Sequence, residues 1–243
     1  MSDTVVHGSI CMYQKKTHEK DIESVVFSRD EGIIYVKTVS ALKGSSLSIP
    51  IASTSDYFLA SRNIDKHFIL KDIKVQKSRE NIVIDYDKYV VFSFLSKVIS
   101  TLGRYNFSEL FPLFECAINL IEKSDNPYFI LAHTIERLFV TEGISGDYES
   151  CPYCEKQYQD DEVIGYSIEH HCSCCNNCAN LINVLSPNLR KYLNATQNLP
   201  LESVENYPYN NVKRFLSFEC FRLKKIIKNM SDEIDVFLKG VSV

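Results

Sequence analysis

The sequence has no apolar run long enough to cross a bilayer. Its most apolar stretch, Tyr89 to Leu95, is short and is interrupted by Ser93. The opening residues, Met1-Ser2-Asp3-Thr4, carry neither a basic segment nor an apolar one, so a cytoplasmic protein is expected, with no membrane partner. Internal repeats, low-complexity segments and flexible linkers are missing as well. So are the local patterns that carry common chemistries. There is no Gly-x-x-x-x-Gly-Lys loop, no His-Glu-x-x-His, no Gly-x-Ser-x-Gly, and no His-x-Glu of the kind a zinc deaminase needs. His7, His18, His67 and His133 are isolated, and the reading is of a protein that is not an enzyme. A strong excess of basic residues is also absent. The net charge of −4 argues against binding nucleic acid by bulk charge.

What is present is a globular composition, 243 residues with 45% apolar and 24% charged side chains, enough to bury a core without disulfide staples. The charge is uneven. Residues 1–79 hold 12 Lys/Arg against 9 Asp/Glu, a net of +3, which leaves −7 for residues 80–243. The front is also the β-rich part. Ser9 to Tyr13, Glu23 to Phe27, Ile33 to Val39, Tyr57 to Ala60 and His67 to Val75 are short runs rich in β-branched and aromatic residues. The polar turn Ser28-Arg29-Asp30-Glu31-Gly32 joins the second and third as a hairpin. Five strands without an intervening helix predict a small barrel, most economically an OB-fold.

From about Asp85 the period becomes helical. Leu110, Phe111, Phe114, Ile118 and Ile121 mark one helix within Tyr105 to Lys123. Asn126-Pro127 starts another, with Leu131, Ile135 and Leu138 on its stripe and Gly143 as its stop. Asn211 to Lys239 reads as one long helical stretch. The expected fold is α+β: an N-terminal five-stranded OB-like barrel (1–79), then an all-helical domain in two parts (80–150 and 181–243) with a zinc-ribbon-like insertion (151–180).

That insertion rests on cysteines. Cys151-Pro-Tyr-Cys154 and Cys175-Asn-Asn-Cys178 are two Cys-x-x-Cys turns, each presenting a pair of thiolates, and two such turns complete a tetrahedral Zn2+ site with no open position, hence a structural one. His170, His171, Cys172 and Cys174 lie close enough to leave the ligand set open, since Cys172 with Cys175 has the same spacing. Cys11, Cys116 and Cys220 fall inside regular elements and are expected in the core. A competing reading comes from Cys-Pro-Tyr-Cys itself, the tetrapeptide of glutaredoxins. That motif needs a strand before it and a helix after it, and the flanking sequence offers no such unit.

The order of features resembles the bacterial RecO recombination and repair proteins. Lys20-Asp21 leading to Phe27-Ser28-Arg29-Asp30-Glu31-Gly32 looks like the family's first hairpin. Glu136-Arg137-Leu138-Phe139, Gly143 and Cys151 look like the helix that runs into its first Cys pair, and Cys175 to Ala179 with Leu185-Ser186-Pro187 like its second pair and the following helix. The resemblance implies a recombination mediator, monomeric alone, with no cofactor beyond structural zinc. Such proteins bind single- and double-stranded DNA, anneal complementary strands, contact the acidic tail of single-stranded DNA-binding protein, and help load RecA together with RecR. A nucleoid-associated location follows. Two departures stand out: Ala41 to Ser46 holds a single lysine where relatives carry a basic cluster, and Cys172 and Cys174 replace small residues.

Two surfaces are candidates for binding. In the barrel, Lys15, Lys16, Lys20, Arg29, Lys37 and Lys43 are the basic set, with Tyr13 and Tyr35 as stacking platforms. On the last helix, Arg214, Arg222, Lys225 and Lys228 gather with Phe218 and Phe221 opposite an apolar stripe, a pattern suited to an acidic tail with an apolar anchor. The alternatives are a zinc-stabilised protein-protein adaptor with little DNA affinity, and the thiol oxidoreductase.

Overall fold

The computed structural model describes residues 3–17, 20–39, 47–61, 65–102, 107–167, 172–175, 177–178 and 183–241. The chain forms two compact units, 1–127 and 128–243.

The first unit begins with β1 (Asp3–Lys16), β2 (Ile22–Ser28), β3 (Gly32–Thr38), β4 (Thr54–Ser61) and β5 (His67–Lys77), which close into a barrel in the order β1-β2-β3-β5-β4. The predicted five-stranded, OB-like barrel is therefore present. Closure depends on β1, whose first half pairs with β4 and whose second half pairs with β2. Register shifts between Val6 and Ser9 and between Cys11 and Tyr13 bend it, the first at Gly8 with φ +54°. The sequence showed only the middle of this strand, because the bulge at His7-Gly8 interrupts its alternation. The last seam is parallel, Tyr35 to Lys37 on β3 against His67 to Ile69 on β5. Inward positions fill the barrel with Val6, Cys11, Val26, Ile34, Val36, Tyr57, Leu59 and Leu70.

The hairpin turn is built as expected. The Ser28 hydroxyl accepts hydrogen bonds from the Asp30 and Glu31 amides, and Gly32 takes φ +71°. A Cβ at Gly32 would lie 3.0 Å from the Phe107 ring, so backbone conformation and close packing both demand glycine there. Three helices complete the unit: α1 (Glu80–Ile84), α2 (Tyr86–Leu102) and α3 (Phe107–Lys123). Phe27 of β2 is fully buried against Phe111 and Phe114 of α3, with ring centroids 5.3 and 5.9 Å away. The barrel thus shares one core with these helices. Arg79, itself buried, spans the junction by donating to the Ala52 carbonyl, Thr54 Oγ1 and Asn119 Oδ1.

The second unit holds α4 (Pro127–Thr141), a three-stranded sheet of β6 (Ile164–Ser167), β7 (Cys172–Cys174) and β8 (Asn183–Leu185) in the order β7-β6-β8, then α5 (Pro187–Thr196), a 3-10 turn (Leu201–Asn206), α6 (Val212–Ile226) and α7 (Ser231–Gly240). Gly143 ends α4 as predicted, with φ +69° and the Ile144 amide reaching back to the Phe139 carbonyl. Ser186 caps α5 through Leu189 N, with Pro187 in its first turn. The expected continuous helix from Asn211 to Lys239 is corrected to two. Ile227, at φ −109° and ψ 73°, leaves the helical region so that it and Met230 can both be buried, and Ser231-Asp232-Glu233 then supplies a fresh helix start with acids in its first turn.

Candidate functional site

The two Cys-x-x-Cys turns converge. The Sγ atoms of Cys151, Cys154, Cys175 and Cys178 all lie within 4.8 Å of one another, and those of Cys154 and Cys175 are 3.6 Å apart. The first turn is a knuckle. The Glu155 amide bonds the Cys151 carbonyl, Glu155 itself takes φ +57°, and the Cys151 amide bonds the Lys156 carbonyl. In the second, the Cys178 amide bonds the Cys175 carbonyl at 3.0 Å. Cys151 and Cys175 are buried, Cys178 is half-buried and Cys154 is exposed. Burial opposes ionisation of Cys151, but the amides of Cys175, Tyr153 and Cys154 outweigh it and hold the thiol down at about 6.

The donor set fits a metal. With Zn–S bonds of about 2.3 Å, the edge of a tetrahedron of sulfurs is about 3.8 Å, close to the spacing found here. Four thiolates fill the coordination sphere. Cys172 and Cys174 sit on β7 outside this cluster, and burial raises both thiols, Cys174 to about 11. His170 and His171 lie outside the described residues. The redox motif lacks its setting, because residues 151–163 are turns and irregular chain, and no helix begins at Cys151. Of the cysteines expected in the core, Cys11 and Cys220 are buried; Cys116 is corrected to half-buried.

The cysteine ribbon is fastened to the helices by two arginines. Arg190 of α5 donates to the Tyr148 and Gln159 carbonyls. Arg222 of α6 sits at the centre of a buried polar cluster. Its guanidinium bonds Glu136 of α4, Glu219 at 3.0 Å, the Tyr166 hydroxyl of β6 at 3.1 Å and the Tyr148 hydroxyl at 3.2 Å. The Phe139, Tyr166 and Phe218 rings surround it at 4.1, 5.4 and 5.6 Å. This corrects part of the predicted tail-binding set. Arg222 is 1% exposed and Phe218 7%, since the two carboxylates draw the cation inward and Tyr166 packs edge-on against Phe218. Arg214, Lys225 and Lys228 remain exposed, and the Lys225 ammonium lies 5.6 Å from the half-buried Phe221 ring.

The basic set of the barrel is divided. Lys15 pairs with Glu23 at 2.8 Å, Lys37 with Asp21 at 2.7 Å and Arg29 with Glu115 at 3.4 Å. Lys16 and Lys20 are exposed and have no ion pair among the described residues, and Lys43 lies outside those residues. Tyr35 is half-buried and already stacked on His67, with centroids 4.6 Å apart and planes 13° off parallel. Tyr13 is half-buried on β1. The acidic partners were present in the sequence at Asp21 and Glu23, but only the strand register places them beside the lysines.

A closed OB-like barrel followed by helices that carry a four-cysteine ribbon defines a class of barrel-plus-helix proteins with a metal-type knuckle pair. Among known families, the one described as "Recombination protein O C terminal" matches residues 84–214, from the end of α1 to the start of α6. The chain belongs to the RecO family of DNA recombination and repair proteins. No curated protein matches it. No helix among the described residues is long and apolar enough to cross a membrane.

Proposed function

We propose that the protein is a recombination mediator that binds single- and double-stranded DNA, anneals complementary strands, and helps load RecA together with a RecR-like protein and single-stranded DNA-binding protein. The supporting observation is an OB-like barrel joined to the family's C-terminal region, an architecture suited to aligning strands by charge neutralisation without a bond-making residue. The functional division follows the barrel (1–79), the helical parts (80–150 and 181–243) and the ribbon (151–180). Cys151, Cys154, Cys175 and Cys178 would hold a structural Zn2+, whose binding stabilises a segment too short to fold by burial alone. Lys16 and Lys20 contact phosphates, and Arg214, Phe221, Lys225 and Lys228 meet the acidic tail. The protein works as a monomer in the cytoplasm, on the nucleoid.

The test is annealing of complementary oligonucleotides, bare and coated with the cognate single-strand binder, without nucleotide. Acceleration in either format is expected. Failure in both would favour a protein-protein adaptor, a second reading supported by the pairing of Lys15, Lys37 and Arg29 with carboxylates.

A further inference from the structure

The cations at the end of α6 already have an acidic segment beside them, supplied by the chain itself. Phe221, Lys224, Lys225 and Lys228 recur at three- and four-residue spacing, so α6 and the 3-10 turn that follows it (Lys228–Met230) present one stripe of cations next to a ring. Phe221 and Lys224 are half-buried, and Lys225 and Lys228 are exposed. Beside the stripe runs α7, whose first residues are Ser231-Asp232-Glu233-Ile234-Asp235-Val236-Phe237. Asp235 pairs with Lys224, Ile234 and Phe237 are buried, and the Phe237 ring lies 6.3 Å from that of Tyr128 at the start of α4. Three acids around two apolar anchors make a peptide that suits a basic, partly apolar surface, and the structure shows it seated on one.

The hold on this helix is light. Its start has no side-chain cap, its last residue is Gly240, and of its ten residues Ile234 and Phe237 are the buried ones. The Lys224–Asp235 pair is open to solvent, where an ion pair contributes little and is screened by salt. Segments with so few buried side chains open ahead of the rest of a fold. Ile227 and Met230 are buried on either side of the break between the helices, which anchors the tether. A released α7 therefore stays close to α6 and competes for it as an intramolecular ligand.

We infer that α7 is a displaceable internal ligand of the α6 stripe, covering Lys224 and the seat of Ile234 and Phe237 until an acidic-apolar peptide from another chain takes its place. The inference rests on the proposed function for the source of that peptide, the tail of the single-strand binder, and adds the regulation of its site. Affinity for the tail is then set by the fraction of molecules in which α7 has let go.

The experiment titrates the full chain and an Asp235→Asn variant with two peptides, one carrying the sequence of residues 231–238 and one the tail of the cognate single-strand binder. Amide exchange is followed with and without peptide. The variant should bind both peptides about two- to fivefold more tightly, the range that loss of one exposed ion pair allows. Bound peptide should strip protection from residues 231–240 of the parent while residues 212–226 keep theirs. Parental affinity in the variant, or α7 protection that persists with peptide bound, would overturn the inference, and tail binding in either case leaves the tail site standing. No binding of either peptide to either chain would overturn the tail site as well.

Discussion

Arg222 is a cation held at 1% exposure between two carboxylates, so the cluster it forms carries one negative charge too many. Burial pushes the Glu219 carboxyl well above the usual carboxylate range, against the pull of Arg222 and with the push of the neighbouring Glu136. Arg222→Met should therefore destabilise the fold by about 3–5 kcal/mol, because it strands Glu136 and Glu219 in a dry site, whereas Glu219→Gln should be at least as stable as the parent at neutral pH. Urea denaturation of both variants checks this. His133 behaves in the opposite sense. Burial, then the Arg137 charge, lowers its pKa to about 3, and its Nε2 meets the Tyr192 hydroxyl at 2.7 Å while Nδ1 has no hydrogen-bond partner among the described residues. The unfolded chain takes up this proton near 6.5 and the folded chain does not. Stability is therefore complete above that pH and declines towards pH 3, by up to about 1.4 kcal/mol per unit for this one group. His133→Phe should flatten that acid limb in a pH series of denaturation curves. Neither group was legible in the sequence. Helical periodicity placed Arg222 on a basic face, because a pairing between positions 136 and 222 leaves no local trace, whereas the four clustered cysteines announced themselves by a spacing that is wholly local.

The ribbon's strands are three or four residues long, too short to persist by pairing alone. Stripping metal with a chelator, or making Cys154→Ser, should abolish amide protection through residues 147–185 in hydrogen-exchange mass spectrometry. Through Tyr148 and Tyr166 the loss should extend to the α4 and α6 turns that carry Glu136 and Arg222. One equivalent of Zn2+ per chain in the purified protein is the companion measurement. Elements whose ends are set locally were readable in advance: the Ser28-to-Gly32 turn, the Gly143 stop, the Asn126-Pro127 start. The break at Ile227 was not, since the residues around it are helix-compatible and the burial of Ile227 and Met230 decides the matter. The front half of β1 was missed for a related reason, its pairing with β4 being 51 to 57 positions away in sequence ahead of a bulge.

For the molecule as a whole, the net of −4 conceals a barrel of net +3, in which Lys15 and Lys37 are held by its own carboxylates. Lys16→Glu, Lys20→Glu should flatten the log-log salt dependence of single-strand affinity by about 1.4, two contacts at roughly 0.7 each, while Lys15→Gln, Lys37→Gln should change it less. Fluorescence anisotropy across a salt series separates the two variants. The composition located the basic excess in residues 1–79 but not which of its cations are paired, because charge counts carry no register. The barrel's parallel seam has a further consequence. Among the described residues the ladder there runs from Tyr35 to Lys37 against His67 to Ile69, with the Tyr35 amide bonding the Lys66 carbonyl, and the rings of Tyr35 and His67 stack across it. The β2–β3 hairpin pairs neighbours, but this seam needs the chain beyond it folded back through β4, so the barrel should shut late during folding, and the amides of this seam should exchange before those of the other ladders in a hydrogen-exchange time course. A cylinder with one weak stave of this kind can breathe without unfolding, spreading its wall while the core it shares with Phe111 and Phe114 stays intact.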